Sequence, residues 1–239
     1  MSIIGAFALI EEKQYEAFCT LYEESAHLRA ERAELSDLMP GNYAIALLGA
    51  GRYEAAAAFC RRQIEKDRSG ARDRSSSASF IALGIAYLAL GQGAEALSAL
   101  AEGTKAVYQD SSRTEAPLLL WCAAVLLEDR AAKREAKKLL NARLRRQSVA
   151  SQESAAARFL TGKCGGEALL QEVDALPPVL RERKRVLALL CLAAANREAG
   201  ETAAYQSRLQ EAVGLYARCP AVVMELPYHL AELCLTGER

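Results

Sequence analysis

Four glycines punctuate this chain between paired apolar runs. Gly51, Gly91, Gly162 and Gly200 each close one run and precede another, 40 residues apart in the first pair and 38 in the last. A glycine at such a place suits a helix that ends in a left-handed cap before the next begins, because a residue without Cβ takes positive φ at no steric cost. Prolines mark the opposite ends. Pro40, Pro117, Pro178 and Pro220 sit just ahead of apolar runs, where a first-turn proline loses no helical hydrogen bond. No stretch alternates apolar and polar residues for long enough to make a strand. The punctuation predicts helical hairpins repeated along the chain.

Composition agrees with that expectation. Hydrophobic residues make up 51% and charged residues 25% of the 239, with only 6% aromatic. Such a mix favours helices that approach through small side chains. The clearest unit is Phe80 to Gly103, FIALGIAYLALGQGAEALSALAEG. Phe80, Leu83, Tyr87 and Leu90 share one helical face. Gly91 ends that helix, and Ala96, Leu97, Leu100 and Gly103 face inward from the next. Gly84 and Ala96 leave room for two backbones to come close.

This unit resembles the tetratricopeptide repeat, whose pattern has a large apolar residue, Leu-Gly, Tyr, Gly, Ala, an aromatic or Leu, and Ala. Here those places hold Phe80, Leu83-Gly84, Tyr87, Gly91, Ala96, Leu100 and Gly103. Weaker copies run over residues 40–64, with Ala44, Gly51, Tyr53 and Ala56, and over 120–143, which lacks a glycine at its turn. Another runs over 189–212, with Gly200, Leu209 and Ala212. The resemblance implies an all-α, tetratricopeptide-like α-α superhelical solenoid of about 12–13 helices, forming one helical-repeat domain over 1–239. Within it, 1–37 are N-terminal helices, 38–147 the best-matching repeats, and 148–239 degenerate repeats and a C-terminal cap. Spacing above the ~34 residues of a standard repeat implies longer helices or loops.

The charge balance bears on partners. Lys+Arg and Asp+Glu both count 30, so no basic surplus points to nucleic acid or to an anionic membrane. The basic helix KREAKKLLNARLRR at 133–146 is interrupted by Glu135 and has no interleaved aromatics for base stacking. It reads as a solvated face, or as a groove for an acidic partner segment. The seven cysteines show no CxxC pair and read as small core hydrophobes in a reducing compartment. The N-terminus lacks the basic region of a signal peptide, and no apolar run approaches the ~20 residues of a membrane span. A cytoplasmic location is expected. His27 and His229 stand far apart, no phosphate loop or catalytic motif occurs, and Cys164 in its TGKCGGE turn has no base nearby. An enzyme, a metal site, a cofactor and a small-molecule substrate are therefore not expected.

The repeat register puts Ile81, Ile85, Leu88 and Ala89 on the concave side. It adds Trp121, Val125, Glu128 and Asp129, then Leu190, Ala194, Arg197 and Glu198. An apolar groove there either receives a partner's segment or is filled by the chain's own terminal helices. Trp121, the only tryptophan, is an interface anchor or a core indole. Tyr228 joins Trp121, Val125, Glu128, Asp129, Arg197 and Glu198 as candidate partner-binding residues.

Three segments, residues 38–56, 103–127 and 156–170, also resemble bacterial tetratricopeptide-like proteins encoded beside polymorphic, Rhs-type toxins, including those linked to type VI secretion. Gly41, Asn42, Tyr108, Asp110, Glu115, Pro117, Arg158 and Phe159 carry this resemblance. Where that group tends to have two glycines, this chain has Ser112 and Arg113. The resemblance implies an immunity protein that blocks a toxin domain by steric occlusion. A tetratricopeptide adaptor or secretion chaperone is the alternative.

Overall fold

The computed structural model describes residues 3–24, 39–70, 73–109, 113–146 and 155–237. Among these residues lie thirteen α-helices, two short 3-10 turns and one isolated bridge, between Ser76 and Tyr108. The chain is all-α, as expected. Twelve helices pair in sequence. They are α1 (Ile3–Glu11) with α2 (Tyr15–Glu24), α3 (Met39–Gly49) with α4 (Tyr53–Ser69), and α5 (Ser77–Ala89) with α6 (Gly93–Gly103). Then come α7 (Glu115–Leu126) with α8 (Arg130–Arg146), α9 (Ala155–Leu160) with α10 (Gly166–Asp174), and α11 (Pro178–Glu198) with α12 (Thr202–Gly214). The last, α13, spans Leu226–Thr236.

One turn geometry joins all six pairs. Lys13, Gly51, Gly91, Glu128, Gly162 and Gly200 take φ between 56° and 78°. The residue after each sends its N–H back to a carbonyl five residues earlier. Gln14 reaches Leu9 at 2.7 Å, Arg52 reaches Leu47 at 2.9 Å, and Gln92 reaches Tyr87 at 2.8 Å. Asp129 to Ala124, Lys163 to Arg158 and Glu201 to Asn196 repeat the bond at 2.8 Å. These bonds satisfy carbonyls that a helix end otherwise leaves open. The four expected glycines are in place. The unit without a glycine turns at Glu128 instead, and a further hairpin turns at Lys13.

Small residues set the helix spacing. A Cβ on Gly84 lies 2.7 Å from Leu100 Cγ, and one on Gly103 lies 2.9 Å from Phe80 Cβ. Ala56 and Ala96 are wholly buried. Between pairs, Gly49 admits the Tyr15 ring, which a Cβ meets at 2.5 Å. Tyr22 and Tyr43 stack at 3.9 Å nearby, with Phe59 edge-on to Tyr43 at 4.9 Å.

Each pair packs on the next, and α3, α5, α7 and α11 form a contiguous inner layer. Against that layer lies α13, touching α3, α5 and α11 as well as α12. Ile81 and Ile85, expected on an inward face, are therefore fully covered. Of the two occupants the sequence allows, the chain's own last helix fills this face. The segment expected as a cap is a 3-10 turn, Pro220–Met224, followed by α13, with Glu225 extended between them. That turn packs on α1, and Lys13 Nζ donates to Tyr228 Oη at 2.6 Å and to Glu232 at 2.9 Å. No described helix is long and apolar enough to cross a membrane.

Candidate functional site

The candidate partner-binding residues do not form one surface. Trp121 is 1% exposed, which fits the core indole of its two readings, and Val125 and Tyr228 are also buried, which corrects the place of all three among the partner-binding candidates. The reason is that α7 packs on α5, α6, α8 and α11. Every residue from Ala116 to Val125 is buried, so this helix has no open concave face. Asp129 accepts from the N–H groups of Ala131 and Ala132 at 2.8 and 2.9 Å. Its carboxylate caps α8. Glu198 pairs with Lys133 of α8, and the Arg197 guanidinium lies 5.3 Å from the Tyr205 ring. Glu128 is exposed at its turn. The repeat residues Phe80 and Gly84 are buried, and Tyr53 and Tyr87 half-buried.

The residues of the second resemblance are better gathered. A cleft of about 470 Å³ lies among the N-terminal parts of α3, α5, α7 and α11, the last three turns of α4, and the start of α13. Gly41 and Asn42 line it from α3, and Glu115 from α7. Glu115 stands there because it is the first residue of its helix, where a carboxylate faces the positive end of the dipole. Tyr108 is tied by its backbone to the cleft wall. Its N–H donates to Ser75 O at 3.0 Å, and its carbonyl accepts from Ser77 N–H at 2.8 Å. The bridge places Tyr108 beside Ser76, a lining residue, with its side chain 59% exposed. Pro117 is buried, and Arg158 pairs with Glu172 beside half-buried Phe159, away from this cleft. Asp110 and His27 lie outside the described residues.

Two cations, Lys66 and Arg183, and three carboxylates, Asp67, Glu115 and Glu225, line the cleft together. Arg183 pairs with Glu225. Burial holds the Asp67 carboxyl above its usual range. Cys60 also lines the cleft, and burial pushes its thiol up to about 12, so it stays protonated and unreactive. Arg183 and Glu225 escaped sequence reasoning, since no local spacing links them to residues 41, 42 or 115.

A second cleft of about 470 Å³ opens at the other ends of α3 and α13, between Lys13, Tyr53, His229 and Glu232. His229 is fully buried, its Nε2 2.8 Å from Val223 O and its ring edge-on to Tyr15 and Tyr228. Cys19, Cys60, Cys122, Cys191 and Cys234 are buried free thiols, as core hydrophobes are. Among the described residues no group of three or more His, Cys, Asp or Glu is placed to hold a metal.

Compared with known proteins, the chain matches no family model, and a search of curated proteins finds no significant match. The fold and the cleft define a class: an all-α protein of paired helices with a grooved, mixed-charge rim at the start of its inner layer.

Proposed function

We propose that the hairpins form a tetratricopeptide-like α-α solenoid, and that the protein is an immunity protein. On this reading it binds a cognate bacterial toxin domain in the cytoplasm and neutralises it by steric occlusion. One observation carries the proposal. Three of the residues behind the resemblance to toxin-neighbouring proteins, Gly41, Asn42 and Glu115, come from two helices yet line one cleft, and a fourth, Tyr108, is bridged to the lining residue Ser76. Residues that merely hold helices together have no reason to meet at a surface.

The physics of the rim supports binding by contact. Tyr108 is held at the backbone and bare at the ring. A rigid exposed tyrosine loses little entropy on docking and is a favoured energetic anchor. Charges of both signs around the cleft steer association and select a complementary partner. Occlusion needs about 800 Å² of contact per partner and no catalytic group.

Co-expression with any toxin domain found encoded beside this protein tests the reading. Growth should be rescued and the pair should co-elute. Tyr108→Ala should weaken the complex by roughly 2 kcal/mol, as loss of an anchor does, with the thermal midpoint unchanged. Toxicity unaffected by the protein would end the proposal. Co-elution without rescue would favour the adaptor or secretion chaperone.

A further inference from the structure

The loop from Thr104 to Gln109, bridged at Tyr108 to Ser76 of the cleft wall, also lines another groove. On its far side it faces α8 across about 560 Å³. Lys105, Arg113 and Arg143 line this groove, with Val107, Leu139 and Ala142 between them and no carboxylate in the lining. Lys138 and Arg145, both exposed, stand about one turn either side of Ala142 on α8. Glu102 tempers one end, pairing with Lys105 at 2.8 Å, and Glu135 acts on Lys105 from α8. In a chain with 30 cations and 30 carboxylates, this is a local segregation of positive charge.

The groove is also preformed. Arg143 donates to Thr104 O at 3.0 Å, and Gln109 Nε2 donates to Ala106 O at 2.6 Å. The first bond ties the loop to α8, and the second closes the loop on itself. Val107 is left 50% exposed at the edge.

Arg113 supplies an independent observation. Its φ is 55°, in the left-handed region where any Cβ crowds the following carbonyl and glycine fits best. Lys13 has similar backbone geometry, and its side chain is locked to Tyr228 and Glu232. The exposed Arg113 side chain has no such tie among the described residues. Arg113 thus adds to the groove lining an exposed positive charge with no partner among the described residues.

We infer that this groove docks an acidic segment of the protein partner. Its carboxylates meet Arg113, Lys138 and Arg145, while an aliphatic side chain rests on Val107, Leu139 and Ala142. The inference rests on the protein-binding reading and names the chemistry of the partner. Single-stranded nucleic acid fits less well, because the lining has no aromatic ring on which a base stacks.

Fluorescence anisotropy tests this with the full chain and a labelled Asp/Glu-rich peptide carrying one leucine. An oligonucleotide of equal length serves as comparison. The peptide should bind, more weakly as salt rises. Arg113→Gly and Arg145→Glu should each weaken it roughly five- to tenfold, while the thermal midpoint of Arg113→Gly holds or rises because glycine accepts the backbone. Equal peptide affinity in both variants, no peptide binding, or tighter binding of the oligonucleotide would each overturn the inference. The toxin assay separates the two proposals. Lost rescue with peptide binding intact removes the immunity reading and leaves the groove, whereas rescue and co-elution undiminished in Arg113→Gly with Arg145→Glu remove the groove alone.

Discussion

Gly84 shows how much a missing methyl group decides in this fold. Leu100 occupies the space that a Cβ would need, at 2.7 Å, and Ala96 O lies 3.4 Å away on the same neighbour. Leu100 is itself wholly buried, so it has nowhere to swing. Gly84→Leu should therefore force α5 from α6 and destabilise the protein by roughly 1–3 kcal/mol, as overpacking does. A thermal melt that moves less than a degree would show that the contact is softer than drawn. Both members of this notch were legible in the sequence, because the Leu-Gly and Ala positions of one repeat fix their mutual spacing. Trp121 was legible only as a choice between interface anchor and core indole, although its segment carried a signal. From Ala116 to Val125 no charged or polar side chain interrupts the run apart from a thiol and the indole N–H. A helix apolar on every side is buried on every side, and assigning it one concave face overlooked that.

Among elements, the six turns are the repeating unit, and at two of them no glycine announces the cap. A glycine announces a left-handed cap, whereas Lys13 and Glu128 adopt it because the packed helices on either side demand it. Glu128→Gly should relieve this strain. The left-handed cost of about 1–2 kcal/mol is removed, and the added freedom of glycine in the unfolded chain returns about 0.5–1 kcal/mol. A net stabilisation of roughly 0.5–1 kcal/mol should appear as a higher urea midpoint with an unchanged slope. A lower midpoint would mean that the Glu128 carboxylate itself supports the turn. Hydrophobic period likewise locates an apolar face without saying what covers it. The placement of α13 against α3, α5 and α11 thus came only with the structure, as did the cleft, whose walls at residues 41, 67, 115, 183 and 225 belong to different elements.

For the molecule as a whole, the contact between the first hairpin and the last helix ties the inner layer together. Its most pH-sensitive member is His229, buried between the Tyr15 and Tyr228 rings with Lys13 and Glu232 as the nearby charges. Val223 O can only accept, so the neutral ring keeps its proton on Nε2. Burial disfavours the imidazolium and Lys13 adds to that, outweighing the Val223 carbonyl and Glu232, so the folded pKa lies below 6.5. The unfolded chain takes up a proton there at about 6.5. This group's contribution is therefore complete above that value and is lost as the pH falls below it, toward the folded pKa, at up to about 1.4 kcal/mol per pH unit. Urea midpoints measured from pH 7.5 down to about 5.5, above the usual carboxylate range, should decline on the acid side. His229→Gln, which keeps an N–H donor for Val223, should flatten that decline while His27→Gln leaves it in place. If the His27 variant flattens it instead, the seam around α13 does not set the acid limit of the fold.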